Sequence, residues 1–357
     1  MDITDLHAEV WRTLDAWRER LPHALLLAGQ RGIGKFELAR RFAESLLCEQ
    51  PTPTHDACGQ CPACGWLAQG NHPDFRLLQP EIFASEAADA GNISGVAADT
   101  APNTSNGVRK KSPGQQITID QVRALDDFLR IGTHRHGRRI VLIHPAEAMN
   151  RATANALLKS LEEPASGTLF ILVSDESERL LPTIRSRCQV LSVPLPATDR
   201  ALAWLQQSGV QDGERWLVLA GGSPLLAARL ESREERVLLD ALLAEITHAS
   251  PFDPLAAAAA LDKLIKADKR PLPLKRLIDW MQKWLLDLAL VSLAQTPRYF
   301  VAQAATLERL ARTTDAFRLL AFQRKALQYR MQCEQPVNSR LFLEAFFLNY
   351  AATFTPS

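Results

Sequence analysis

The sequence predicts an α/β domain built on a mostly parallel sheet, followed by two helical regions. Three observations carry that reading. Over the first half of the chain, apolar runs of buried-strand length at residues 23–28, 138–143 and 168–173 each stand next to a helical pattern, as expected where helices cover a parallel sheet. A glycine-rich stretch joins the first of these runs to a helix. Beyond Pro194 and Pro196 the strand-like runs stop, and amphipathic helical spacing takes over.

The glycine-rich stretch reads G-Q-R-G-I-G-K from Gly29 to Lys35 and continues with Phe36. Strand, glycine loop and helix together aim a helix N-terminus at an anion. Gly29, Gly32, Gly34 and Lys35 match a P-loop, in which backbone N–H groups and a lysine cradle phosphates and a following Ser or Thr holds Mg²⁺. A phenyl ring supplies no ligand for magnesium. The expectation is a degenerate P-loop that holds no productive nucleotide and makes no use of ATP and Mg²⁺.

Next come the cysteines. Of six, four cluster as Cys48, Cys58, Cys61 and Cys64. The run C-x2-C-x2-C with one further cysteine upstream offers four thiolates in one short loop, as tetrahedral structural Zn²⁺ requires, and an iron–sulfur cluster is the competing reading. His55 lies inside the loop and could substitute for one thiolate, though it reads rather as a bystander. Cys188 and Cys333 are isolated, and Cys333 reads as a small core residue.

Residues 81–116 are rich in Ala, Asp, Ser, Asn, Gly and Pro. Such a segment buries too little apolar surface to offset its chain entropy and reads as a mobile insertion. A helix is predicted from about Asp120, with Val122, Leu125, Phe128 and Leu129 on one face and Thr118 and Gln121 as a capping box. The basic clusters Arg109-Lys110-Lys111 and His134 to Arg139 read as solvated loops rather than nucleic-acid sites. A small helical unit follows, with Trp204, Trp216 and the turn Gly221-Gly222-Ser223-Pro224. Later helices place Leu277, Trp280, Trp284 and Leu288 on one core face, and Asn338 caps a last helix through Leu341, Phe342, Ala345, Phe346 and Tyr350. The expected domains are 1–193, 194–249 and 250–357, the last suited to subunit association.

Composition narrows the function classes. At 46% hydrophobic and 23% charged, the chain has ample apolar material for globular cores. A net charge of +1 argues against a surface devoted to nucleic acid. The first residues show neither a basic start nor an apolar run, so no signal peptide is expected. The most apolar stretch, 284–294, is short and carries Asp287, so no membrane span is expected either. A cytoplasmic protein follows.

Two further stretches bring in a family. The decapeptide from Asn155 to Pro164, N-A-L-L-K-S-L-E-E-P, and the run from Leu181 to Cys188, L-P-T-I-R-S-R-C, resemble the AAA+ subunits of bacterial clamp loaders. The second ends in the Ser-Arg-Cys that carries that family's arginine finger, here Arg187. The resemblance covers most of the chain, with the four-cysteine loop after the P-loop helix and the two later regions matching a lid and a helical collar. It fails at 81–116. The motor subunits end the Walker B strand in two acids, where this chain has His144 and Pro145. Sensor 1 falls on Ser174, and the sensor 2 arginine position on Leu225.

The resemblance therefore implies a non-hydrolysing stator of the DNA polymerase III clamp loader, one that supplies Arg187 in trans to an adjacent ATP-hydrolysing gamma/tau subunit. It implies a hetero-pentamer that also contains delta and that loads the sliding clamp at primer–template junctions during DNA replication. Two alternatives stand beside it: an ATP-hydrolysing motor subunit of the same machine, and a zinc-dependent DNA-binding adaptor.

Overall fold

The structure, a computed structural model, describes residues 2–83, 114–130, 137–231, 233–247, 252–267, 273–333 and 337–354. Most of the stretch expected as a mobile insertion, the Arg109 cluster and His134 to His136 lie outside the described residues. The chain divides into two compact units, Met1–Trp204 and Leu205–Ser357.

The first unit begins with α1 (Ile3–Leu6), α2 (Ala8–Ala16), β1 (Ala24–Ala28), α3 (Lys35–Leu47), α4 (Pro62–Ala68) and β2 (Phe75–Leu78). It continues through α5 (Ile119–Arg130), β3 (Arg139–Ile143), α6 (Arg151–Glu162), β4 (Thr168–Ser174), α7 (Pro182–Arg185) and β5 (Gln189–Ser192), and ends within α8 (Thr198–Gln207). The five strands pair parallel in the order β2-β3-β4-β1-β5.

The three central strands are buried at nearly every position. That is why they read as continuous apolar runs: a parallel sheet covered on both faces leaves no solvated side for alternation to mark. Leu26, Val141, Ile143, Phe170 and Leu172 share one core with Val122, Leu125 and Phe128 of α5 and Leu157 and Leu161 of α6. Helix α3 packs on β1, β3 and β4, and the intervening strand residues supply the opposite face. Each such side chain contributes about 1.5–3 kcal/mol on burial. The capping box forms: the Thr118 N–H donates to Gln121 Oε1 at 2.8 Å, and the Gln121 N–H donates to Thr118 Oγ1 at 3.4 Å.

Strands β2 and β5 are additions to the sequence reading, and they are the two edges of the sheet. Each is four residues long and half exposed, with Val190 45% exposed, so neither produces a run of buried-strand character.

The second unit holds α9 (Gly213–Leu219), α10 (Pro224–Leu230), α11 (Arg233–Thr247), α12 (Pro254–Ala267), α13 (Pro273–Ser292), α14 (Ala304–Ala311), α15 (Ala316–Gln332) and α16 (Ser339–Ala351). Helix α12 packs on α16, and α13 on α14 and α15. Leu277, Trp280, Trp284 and Leu288 are buried together on α13 as their spacing predicts. The Trp284 indole N–H donates to the Tyr350 hydroxyl at 2.9 Å. Asn338 accepts the Leu341 N–H at 3.2 Å, the cap expected for α16.

Two details depart from the sequence reading. Leu341 is 64% exposed, and the inner face of α16 is made by Phe342, Leu343, Phe346, Phe347 and Tyr350. Cys333 is half-buried at the C-terminal end of α15 rather than a core residue.

Asp287, the charge inside the apolar stretch, is fully buried and accepts three backbone N–H groups: Arg298 at 2.8 Å, Tyr299 at 2.8 Å and Phe300 at 2.6 Å. A buried carboxylate is tolerated when its lone pairs are satisfied in this way. Among the described residues, no helix is long and apolar enough to cross a membrane.

Candidate functional site

In open α/β sheets, ligands sit outside the carboxyl ends of the strands. Here those ends carry Gly29 after β1, His144 after β3 and Asp175 after β4. The register that pairs Ala28 with Ser174 and Ile143 with Leu172 brings the three to one edge of the sheet. Gly29 donates its N–H to the Ser174 carbonyl at 3.3 Å. A Cβ at Gly29 would lie 2.4 Å from the Val193 carbonyl oxygen, so only glycine fits where the loop passes the end of β5.

Gly32 and Gly34 take φ of 77° and 97°, and α3 starts at Lys35 with no side chain capping its first N–H groups. Gly29, Gly32, Gly34 and Lys35 lie together in the loop between β1 and α3. The side chains around this loop are engaged with one another. Lys35 is 3% exposed, and its ammonium donates to the Gln30 carbonyl at 2.7 Å and to Asp175 Oδ1 at 2.6 Å. The Phe36 ring stacks on the His144 imidazole, with centroids 4.6 Å apart and planes at 26°. The two sequence departures, one at the magnesium hydroxyl and one at the Walker B acid, therefore meet as a single aromatic pair. Ser174 is fully buried, and its hydroxyl has no hydrogen-bond partner among the described residues.

The N-terminal segment is pinned to the loop from the other side. His7 Nε2 donates to the Ile33 carbonyl at 2.6 Å. Burial first, and then the nearby Lys35 ammonium, holds its imidazole below the ordinary pKa despite the pull of that carbonyl. Sequence reasoning missed both His7 and Asp175. For Asp175 a signal existed, since an acid directly follows the sensor position at the end of a central strand. His7 offered none.

The four cysteines of the loop converge. Their sulfurs all lie within 4.8 Å of one another, with Cys48 and Cys61 3.8 Å apart and Cys58 and Cys64 4.0 Å apart. Backbone N–H groups aim at the sulfurs: Cys58 donates to Cys48 at 3.3 Å, Cys61 to Cys58 at 3.3 Å and Cys64 to Cys61 at 3.5 Å. The N–H groups of Gln60 and Cys61 hold the Cys58 thiol below its ordinary pKa. Burial raises the Cys61 thiol, but N–H groups from Cys64 and Glu49 and the neighbouring thiols outweigh it and bring it to about 6. These donors favour thiolate, the form that binds metal, at Cys58 and Cys61, whereas burial pushes the Cys48 and Cys64 thiols up. This cluster can hold a metal ion. Among the described residues the grouped ligand atoms are the four sulfurs, and His55 instead pairs its Nδ1 with Asp15 at 2.8 Å.

Arg187 follows α7. Its Nη1 donates to the Thr183 carbonyl at 2.9 Å, and its Nη2 lies 2.6 Å from Glu162 Oε1. The side chain is 34% exposed, and these partners come from α6 and α7 rather than from the P-loop. Cys188 beside it is buried, which pushes its thiol up to about 12 and makes it inert. In the second unit, Ser223 is buried and Leu225 is the second residue of α10, so the position expected for a sensor 2 arginine carries no charge.

Comparison with known proteins places the chain. The family model described as DNA polymerase III, delta subunit, matches residues 8–196, and a second, for the C terminal of that subunit, matches residues 235–351. DNA polymerase III subunit delta' of Pseudomonas aeruginosa is 34% identical over 363 residues, covering 98% of each chain. DNA polymerase III subunit gamma/tau of Mycobacterium bovis is 34% identical over 233 residues, covering 63% of this chain and 33% of that one. A gamma subunit-related protein of Thermotoga maritima, known from its crystal structure, is 18% identical, with a TM-score of 0.47 over 97% of this chain and 99% of that one. With a delta-subunit model spanning more than half its length and a delta' relative matched from end to end, this chain belongs to the delta' subunit family of DNA polymerase III.

Proposed function

We propose that the chain is the stator of the DNA polymerase III clamp loader, a cytoplasmic subunit that hydrolyses no ATP itself and lends Arg187 to the site of a neighbouring gamma/tau subunit. The observation that carries this reading is the Phe36–His144 stack. It puts two rings where a motor keeps a magnesium hydroxyl and a catalytic acid. Phosphoryl transfer depends almost entirely on positioning and electrostatic stabilisation by such groups, so removing both leaves no hydrolytic route in this site. Among the described residues, Arg187 is tied only to a partly exposed carboxylate and a carbonyl, and an exposed ion pair is worth at most about 1 kcal/mol. A neighbour's γ-phosphate competes readily for that guanidinium.

In this reading the complex is a hetero-pentamer with gamma/tau and delta. It opens the sliding clamp and places it on primer–template DNA. Residues 1–193 serve as the AAA+ domain, 194–249 as the lid and 250–357 as the collar.

The cysteine cluster is assigned to structural Zn²⁺. With Zn–S bonds of about 2.3 Å, a tetrahedral site has sulfur–sulfur edges of about 3.8 Å, which agrees with the 3.8 and 4.0 Å separations found here. Four sulfur ligands leave no open position for a reacting water. Cys48, Cys58, Cys61 and Cys64 would hold the ion and fasten the loop between α3 and α4.

The deciding experiment is reconstitution with gamma/tau and delta. Arg187→Ala is expected to leave assembly intact while lowering the DNA- and clamp-stimulated ATPase at least about tenfold, a conservative figure beside the finger effects known for GTPases. An unaltered rate rejects the stator reading.

A further inference from the structure

The stack accounts for a missing magnesium hydroxyl, but not for the lysine. Lys35 keeps the residue type, position and burial of a phosphate-binding lysine, and its charge is already answered from within the chain. Asp175 sets Oδ1 2.6 Å from the Lys35 ammonium and Oδ2 4.0 Å from Nε of Arg31. Its own N–H donates to Glu147 Oε1 at 2.9 Å, which fixes the residue at the end of β4. One carboxylate therefore offers two anionic oxygens to two cations of the loop, as a phosphate would.

We propose that Asp175 is the residue that keeps phosphate out of this P-loop, an internal counter-ion standing where a nucleotide's β- or γ-phosphate would be. An incoming diphosphate has to displace the carboxylate from Lys35 and then lie beside it, and like charges sharing one site repel. Phe36 provides no hydroxyl for a magnesium ion that could screen the two. The loop backbone is otherwise that of a phosphate cradle, since Gly32 and Gly34 take positive φ and no side chain makes a capping hydrogen bond to the first N–H groups of α3. The loop thus remains a metal-free anion site that is masked by one side chain. This rests on the reading of Gly29 to Lys35 as a phosphate cradle and is independent of Arg187.

The test uses the full chain in buffer without added metal. Pyrophosphate and ADP are titrated calorimetrically into wild type, Asp175→Asn and the double variant Asp175→Asn/Lys35→Ala. Asp175→Asn is expected to bind pyrophosphate at least about tenfold more tightly than wild type, the equivalent of one charge-assisted hydrogen bond. The double variant is expected to lose the gain. ADP binding in step with pyrophosphate marks the nucleotide phosphates as the ligand, and pyrophosphate alone marks a simple anion site; both support the masking role. Equal affinity in wild type and Asp175→Asn overturns the proposal, as does a gain that survives loss of Lys35. Should the asparagine variant fold poorly, Asp175→Ser removes the same charge, and a rise in melting temperature with added pyrophosphate gives a second readout. A negative result here leaves the stator reading standing, because that reading is judged on hydrolysis in a neighbouring subunit.

Discussion

Replacing Asp287 with alanine is expected to weaken the second unit more than most single changes could. The side chain is fully buried and its two oxygens accept three backbone N–H groups. A hydrogen bond to a charged acceptor is worth about 1.5–3 kcal/mol, and a buried donor left unpaired costs the same order. Arg298 is exposed, so its N–H finds water again. Tyr299 is half-buried and recovers only in part, whereas Phe300 is 2% exposed and its N–H has no access to water. Weighting the three accordingly gives about 3–4 kcal/mol, or a fall in melting temperature of about 6–15 °C for a domain of this size. Asp287→Asn is informative because it keeps the shape. Oδ1 and Oδ2 both accept, so an amide must turn its NH₂ toward at least one donor, and a loss of about 2 kcal/mol or more is expected. The assay is thermal unfolding of the full chain, followed by circular dichroism. A fall of less than about 2 °C for Asp287→Ala, or an Asp287→Asn variant that melts like wild type, refutes the reasoning.

Lys283 gives a pH dependence of definite sign. Burial, only partly countered by Asp279, lowers its pKa from 10.5 to about 8, so between those values the folded chain has released a proton that the unfolded chain still holds. Raising the pH from 8 to 10.5 therefore stabilises the fold, by about 3 kcal/mol at about 1.4 kcal/mol per unit, and denaturant titrations should show that this increment is missing in Lys283→Met. Cys61→Ser is expected to abolish stoichiometric zinc, measured by elemental analysis, and to destabilise the first unit by more than about 4 kcal/mol; full zinc retention argues against the assigned site. Glu162→Ala removes an ion pair that is 49% exposed on the glutamate side, so unfolding titrations should detect a change of no more than about 0.5 kcal/mol.

The central strands were legible because full burial on both faces leaves a continuous apolar run. The edges β2 and β5 were not, because Phe75–Leu78 and Gln189–Ser192 are short, half-exposed segments that owe their conformation to a neighbour in the sheet. The glycine loop, the cysteine cluster and the helix caps follow local rules of spacing and chemistry: the loop joins β1 to α3, the four sulfurs gather within 4.8 Å, and the caps at Thr118 and Asn338 form. Phe36 and His144 could be flagged separately, but their stacking joins residues far apart in the chain. The same holds for Lys35 and Asp175, 140 positions apart, and for His7 on Ile33. Such pairings are properties of the sheet order and are written in no local window. On α16, spacing found the helix but left the position of Leu341 relative to the buried face unsettled, because the apolar residues there nearly encircle the axis.

The Phe36–His144 stack also bears on whether hydrolysis could be regained. A motif lost one residue at a time can be restored one residue at a time only if each intermediate is at least as fit as the last. Here each ring is the other's packing partner, worth about 0.5–1.5 kcal/mol to the pair. Threonine at 36 alone removes the stacked ring from an imidazole that keeps its tilted Phe83 contact at 5.9 Å, and still supplies no acid for a metal. Aspartate at 144 alone sets a charge against a phenyl face. Under the proposed function neither first step alone would bring a catalytic return, so the return path would begin with a loss of packing. In the proposed stator, the contact would act as a ratchet, opposing a return to hydrolysis even where selection on the non-hydrolysing role is weak.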